Sequence, residues 1–98
     1  MAKKFVVNAG RVILGEVEYH SGLLRDHTET VGGGLWHYDH ETKTLLLYGS
    51  STDFGSVSQS VLESAQWPRG DYEAIVYSMA PTLQEAQQSG ITLNRTNA

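Results

Sequence analysis

The densest chemistry in this sequence lies in the run Tyr48-Gly49-Ser50-Ser51-Thr52-Asp53-Phe54-Gly55. It follows the apolar triplet Leu45-Leu46-Leu47 and precedes a stretch with helical spacing. Backbone N–H groups at a helix start carry partial positive charge, and two serines add hydroxyl donors. Gly49, Ser50 and Ser51 are therefore candidates to cradle a phosphate or another small anion. Asp53 opposes this. A carboxylate about 6 Å from one phosphate charge costs ~3 kcal/mol at an effective dielectric of ~20, against a helix-dipole gain of ~0.3–1 kcal/mol. Asp53 is also a good helix N-cap, so the same run reads as a capped turn that consumes its own N–H groups.

His20 is the candidate general base, because a neutral imidazole titrates near pH ~6.5. The alternative is a half-buried histidine bonded into a turn; no nearby acid must orient it. His37, Asp39 and His40 invite a metal reading, since His37 and Asp39 share one face of a strand. Two or three such residues on a hairpin tip are more often solvated, so neither metal nor cofactor is expected. Arg25, Asp26 and His27 read as a solvated patch. Trp36, Tyr38, Trp67 and Tyr72 read as core or rim rather than as a stack for a ligand. The glycines 32 to 34 follow no βαβ start and no helix follows them. They indicate a bulge or a close backbone approach, either as the floor of a pocket or as room for a bulky neighbour such as Trp36 or Trp67.

Composition narrows the classes. Ninety-eight residues, 40% hydrophobic, make one small domain. The net charge is −4, and the seven lysines and arginines are scattered, so nucleic acid is not an expected partner. No apolar run approaches the ~20 residues of a membrane span, and no export signal is evident, so the expectation is a cytoplasmic protein with no membrane partner. The absence of cysteine excludes disulfides, thiolate metal sites and a cysteine nucleophile.

These residues need elements to hold them. Phe5 to Val7 reads as a strand, broken by Ala9-Gly10, and Arg11 to Tyr19 as a second strand ending at His20. Ser21 to His27 suggests one or two helical turns. Leu35 to Tyr48 reads as a hairpin around the polar turn His40-Glu41-Thr42. A helix is expected to start between Asp53 and Val57, with Ser56 and Gln59 as capping box, to bury Val57, Val61 and Leu62, and to end before Pro68. Tyr72 to Tyr77 reads as a strand. Thr82 and Glu85 cap a last helix that stops at Gly90. Residues 1–90 form one domain and 91–98 a polar tail with a possible edge strand at Ile91–Leu93. The sum is an α+β fold, a single mixed or antiparallel sheet with one or two packed helices.

Three pieces in order, Glu18-Tyr19-His20, the stretch from Val31 to Gly55, and Asp71 to Ser78, resemble the phosphohistidine phosphatase (Janus/Ocnus) family. The match is strongest in the gapless spacing from Gly32 to Tyr48, Gly49, Ser51, Phe54 and Gly55. The resemblance implies a six-strand sheet with a helix on each face. It also implies a phosphoryl hydrolase with His20 as base on water, Lys4 as electrostatic clamp, and the 49–51 backbone holding phosphate from a phosphorylated protein or small anion. The chain departs from the family at Leu35 and Val12, where the family carries arginines, and at Asp53. A non-enzymatic module that keeps the fold and binds a peptide or small ligand is the alternative.

Overall fold

The computed structural model describes residues 2–23 and 29–94, with the side chains of His20 and Ser21 outside that description. The chain runs β1 (Ala2–Asn8), β2 (Arg11–Val17), a 3-10 turn (His20–Leu23), β3 (Thr30–Asp39), β4 (Thr44–Tyr48), α1 (Gln59–Ser64), β5 (Ala74–Ser78), α2 (Leu83–Ser89) and β6 (Ile91–Thr92). The strands form one six-stranded sheet in the order β2-β1-β3-β4-β5-β6. All neighbours are antiparallel except β4 and β5. The fold is thus α+β with a single mixed sheet and two helices.

Local chemistry sets the turns. Ala9 and Gly10 both have positive φ, 51° and 75°, which suits a two-residue hairpin loop between twisted strands. The β3–β4 hairpin is closed by Asp39, whose Oδ1 accepts the N–H groups of Glu41 and Thr42. A parallel β4–β5 pair needs a crossover, and the segment carrying α1 supplies it.

Alternation along the strands makes two faces. Phe5, Val7, Val12, Leu45, Leu47, Ile75 and Tyr77 fill the principal core, with Val57, Leu62 and Ala65 packed on them from the α1 segment. Leu46 is buried on the opposite face, where α2 packs on β4 and β5.

The helix after the loop is shorter and later than expected. It begins at Gln59, not between Asp53 and Val57, and its N-cap is Ser58, whose side chain accepts from the Val61 N–H. Ser56 does not cap it; its carbonyl lies close over Gly32 of β3 instead. Val57 and Leu62 are buried as anticipated, but Val61 is only partly so. The last helix matches its signals: Thr82 accepts from the Glu85 N–H and Gly90 ends it. The folded unit also passes residue 90. Ile91–Thr92 pairs with β5, and Leu93 is buried with its N–H on the Ile75 carbonyl.

Tyr77 gives the core a pH signature. Its hydroxyl donates to the Val57 carbonyl, with the Met79 sulfur 2.7 Å away, and burial raises its pKa above the usual phenol value. The folded state holds this proton more tightly than the unfolded chain does. That stability is fully present below the unfolded pKa of ~10 and is lost as pH rises through the higher folded value. Urea midpoints should therefore fall above about pH 10. Tyr77→Phe should reduce that fall, while costing ~1–2 kcal/mol at neutral pH because the Val57 carbonyl loses its donor.

Candidate functional site

The 49–55 loop lies on the glycines of β3. A Cβ on Gly32 would sit 2.4 Å from the Ser56 carbonyl oxygen, and one on Gly34 2.5 Å from the Tyr48 oxygen. The Gly33 N–H donates to the Gly55 carbonyl at 3.0 Å. The glycines therefore make room for the backbone of the loop and its flanks, not for Trp36 or Trp67 as the sequence suggested.

Most of the donors that would hold an anion are spent inside the protein. Gly49 N–H donates to Ala80 O, and Ser51 and Gly55 exchange both backbone bonds. The buried Ser51 Oγ accepts from the N–H groups of Asp53 and Phe54, each at 3.1 Å. Ser50 is exposed and makes none of these bonds. Asp53 caps no helix; α1 starts six residues later, with Ser58 as its cap. The loop is a closed turn whose centre is the Ser51 side chain. Ser51→Ala should cost about 2 kcal/mol in urea unfolding, since two N–H groups lose their acceptor. An unchanged midpoint would show that these bonds contribute little.

Lys4 is placed on the opposite side of β1 from Phe5. It stands across from Gly15 on β2 and Leu35 on β3, and Leu35 in turn stands across from Tyr48. At ~4.8 Å per strand this row puts Lys4 about 10 Å from the start of the loop, with Leu35 between them. The Lys4 ammonium donates to the Glu18 carbonyl and lies 5.8 Å from the centroid of the Tyr19 ring. The 3-10 turn that opens with His20 follows directly, and Leu23 folds over Gly15. The role expected of the His20 imidazole falls outside the described residues, as do Arg25, Asp26 and His27.

His37 and Asp39 share a face and line a small hollow of about 160 Å³ with Thr42, Thr44 and Gln87. Asp39 is already committed to its turn. Among the described residues no group of three or more potential ligands is arranged for a metal.

A larger groove, about 600 Å³, opens on the other face, lined by Leu14, Trp36, Tyr38, Leu45 and Tyr72, with Lys3, Glu16, His40 and Asp71 among the rest of its lining. Its size falls within the range of small-ligand sites. Trp36, Tyr38 and His40 come from one edge of β3 and the turn after it. Tyr38 meets the His40 ring edge-on at 4.7 Å and the Tyr72 ring at 5.9 Å. The Trp36 indole N–H donates to the Gly15 carbonyl at 3.2 Å. Tyr72 lies across Gly70, where a Cβ would fall 2.3 Å from the ring, so a larger residue there would push the ring aside.

The far wall is tied down. Tyr38 Oη donates to the Asp71 carbonyl at 2.6 Å, and the Glu73 N–H donates to the Lys43 carbonyl at 2.8 Å. The Lys43 ammonium meets Asp71 at 3.0 Å, and this bond and charge hold Lys43 above the usual lysine range. The 69–73 loop is thereby fixed to the β3–β4 hairpin, and the groove is formed before any ligand arrives.

Trp36, Tyr38, Trp67 and Tyr72 do pack against the core as partly buried rim residues, as their types suggest; the groove that Trp36, Tyr38 and Tyr72 border is the feature the sequence did not announce. The available signal was the i, i+2, i+4 spacing of Trp36, Tyr38 and His40, which sets three rings on one side of a strand. The partner wall, Tyr72, comes from a distant segment that only the fold brings near. No helix among the described residues is long and apolar enough to cross a membrane. Comparison with family models, with curated proteins and with solved structures finds no match to this chain.

Proposed function

We propose that this protein is a binding module whose site is the aromatic groove, and that its ligand is a segment of peptide. The observation that carries this reading is the preformed groove of about 600 Å³ walled by Trp36, Tyr38 and Tyr72. Aromatic rings offer large contact area with few torsions to freeze, and a wall already fixed by hydrogen bonds lowers the ordering cost of binding. A displayed library of random peptides should yield binders to the folded chain. Trp36→Leu should weaken them about tenfold or more, the usual effect of losing a tryptophan anchor. Binders indifferent to Trp36→Leu would place the site elsewhere.

One observation favours a second reading, a weak phosphoryl hydrolase of the kind the family resemblance implies. Lys4 reaches the Glu18 carbonyl, two residues before His20, on the face that the 3-10 turn covers. In that reading His20 is the base, Lys4 the clamp, and Gly49, Ser50 and Ser51 hold the phosphoryl group. The occupied N–H groups of Gly49 and Ser51 weigh against it. Millimolar inorganic phosphate is expected to leave the amide resonances of Gly49 to Asp53 in place. Shifts there, together with phosphoramidate hydrolysis abolished by His20→Ala, would reverse the order of the two readings.

A further inference from the structure

The aromatic groove already has a cation on one wall. The Lys3 ammonium lies 5.4 Å from the centroid of the Trp36 ring. That is within the ~6 Å at which a ring face attracts a positive charge. Glu16 stands directly across from Lys3 on the neighbouring strand and lines the same groove, as does Asp71. Asp71 is shared with Lys43, whereas Glu16 directly follows Gly15, whose carbonyl accepts the Trp36 indole N–H. The chain as a whole carries −4. A negative ligand would meet the Lys3 ammonium, but also two carboxylates and a repulsive net field. A positive one would meet a ring face and a carboxylate in an apolar setting of Leu14 and Leu45.

We infer that the groove takes an arginine side chain of the partner peptide, whose guanidinium replaces the Lys3 ammonium on Trp36 and pairs with Glu16. The inference rests on the binding-module reading and names the chemistry of its ligand. Arginine fits better than lysine because its flat, weakly hydrated head stacks on an aromatic plane, while an ammonium stays strongly hydrated. Lys3 is then an internal competitor. It covers the ring when the groove is empty and is exposed enough to swing away.

The test compares a short acetylated peptide carrying one arginine with the same peptide carrying citrulline, which keeps the shape and removes the charge. A neutral proline-rich peptide is the third probe. The reporter is the Trp36 indole N–H resonance, followed by titration on the full chain. The arginine peptide should bind about fivefold more tightly than its citrulline twin. Lys3→Ala should tighten the arginine peptide a further few-fold and leave the citrulline peptide unchanged, because only the charged ligand competes with Lys3. Glu16→Gln should remove part of the arginine preference. Lys3 and Glu16 are exposed strand residues, so neither change threatens the fold.

Equal binding of arginine and citrulline peptides, or arginine binding weakened by Lys3→Ala, would overturn the inference while leaving a peptide groove in place. Preference for the proline-rich peptide would do the same and assign a different ligand. If none of the three peptides moves the Trp36 resonance, both this inference and the groove reading for peptides fail together.

Discussion

Leu62→Asp should leave a chain with no cooperative unfolding transition. Leu62 is fully buried on α1, within the cluster that includes Phe5, Leu45, Leu47 and Ile75. Truncating such a leucine costs ~2–5 kcal/mol. An aspartate adds the cost of an unpaired carboxylate in an apolar site, several kcal/mol more. A domain of this size has only ~5–15 kcal/mol in total. The change should exhaust it, and far-UV circular dichroism against urea would show a sloping baseline. A sharp transition within ~1 M of the parent midpoint would mean that α1 is not anchored through Leu62. The neighbouring Val61→Asp is the control. Val61 is only partly buried, so its carboxylate can turn to water, and a loss of ~1–3 kcal/mol is expected. The strong effect that helical spacing alone assigns to Val61 belongs to Leu62.

Gly34→Ala should be a strongly damaging single-methyl addition to the sheet, at about 3 kcal/mol. The new Cβ would lie 2.5 Å from the Tyr48 carbonyl oxygen, 2.8 Å from Phe5 Cε1 and 3.2 Å from the Gly49 oxygen. Two of these atoms are backbone, and Phe5 has no solvent-exposed surface through which to retreat. Relief requires β3 and the start of the loop to part. Gly55→Ala separates this steric effect from conformational strain: nothing lies within 4 Å of its Cβ, and only its φ of 80° resists substitution. It should cost ~1–2 kcal/mol. Guanidinium or urea midpoints of the two variants should rank in that order. Equal losses would show that β3 yields at Gly34.

How far the sequence reached depended on whether the determinant was local. The α+β class, the β3–β4 hairpin and the Thr82 cap follow from periodicity and from side chains that bond their own neighbours, and all three can be read along the chain. The start of α1 is not legible in the sequence, because Ser56 and Ser58 are both chemically able to cap. Gly32, whose missing side chain lets the Ser56 carbonyl close on β3, holds Ser56 against the sheet, and the helix starts two residues after Val57. The loop's donors are hidden from the sequence for a similar reason. Ser51 was read as a donor to a ligand, yet buried in its turn it serves as the acceptor for two amides. In the groove, Trp36 and Tyr38 were visible as a pair, but Gly70, Asp71 and Tyr72 form its far wall only after β5 has docked beside β4. No spacing within the sequence reports that distance.

The glycine strand also has a consequence for the order of assembly. Four of the five strand pairings join strands that follow each other in the chain; the exception is β1 with β3. The β1–β2 and β3–β4 hairpins close over short turns and can form in ~1–10 μs. The β1–β3 pairing brings them together, and the parallel β4–β5 pairing closes a longer loop at greater entropic cost. Residues 49–56 lie inside that longer loop and rest on Gly32 and Gly34, a strip that offers no side chains of its own for hydrophobic contact, and only Val57 after them enters the core. Their resting place exists only after β1 and β3 have joined. The segment carrying α1 is therefore expected to dock late, so that weakening its contacts speeds unfolding more than it slows folding.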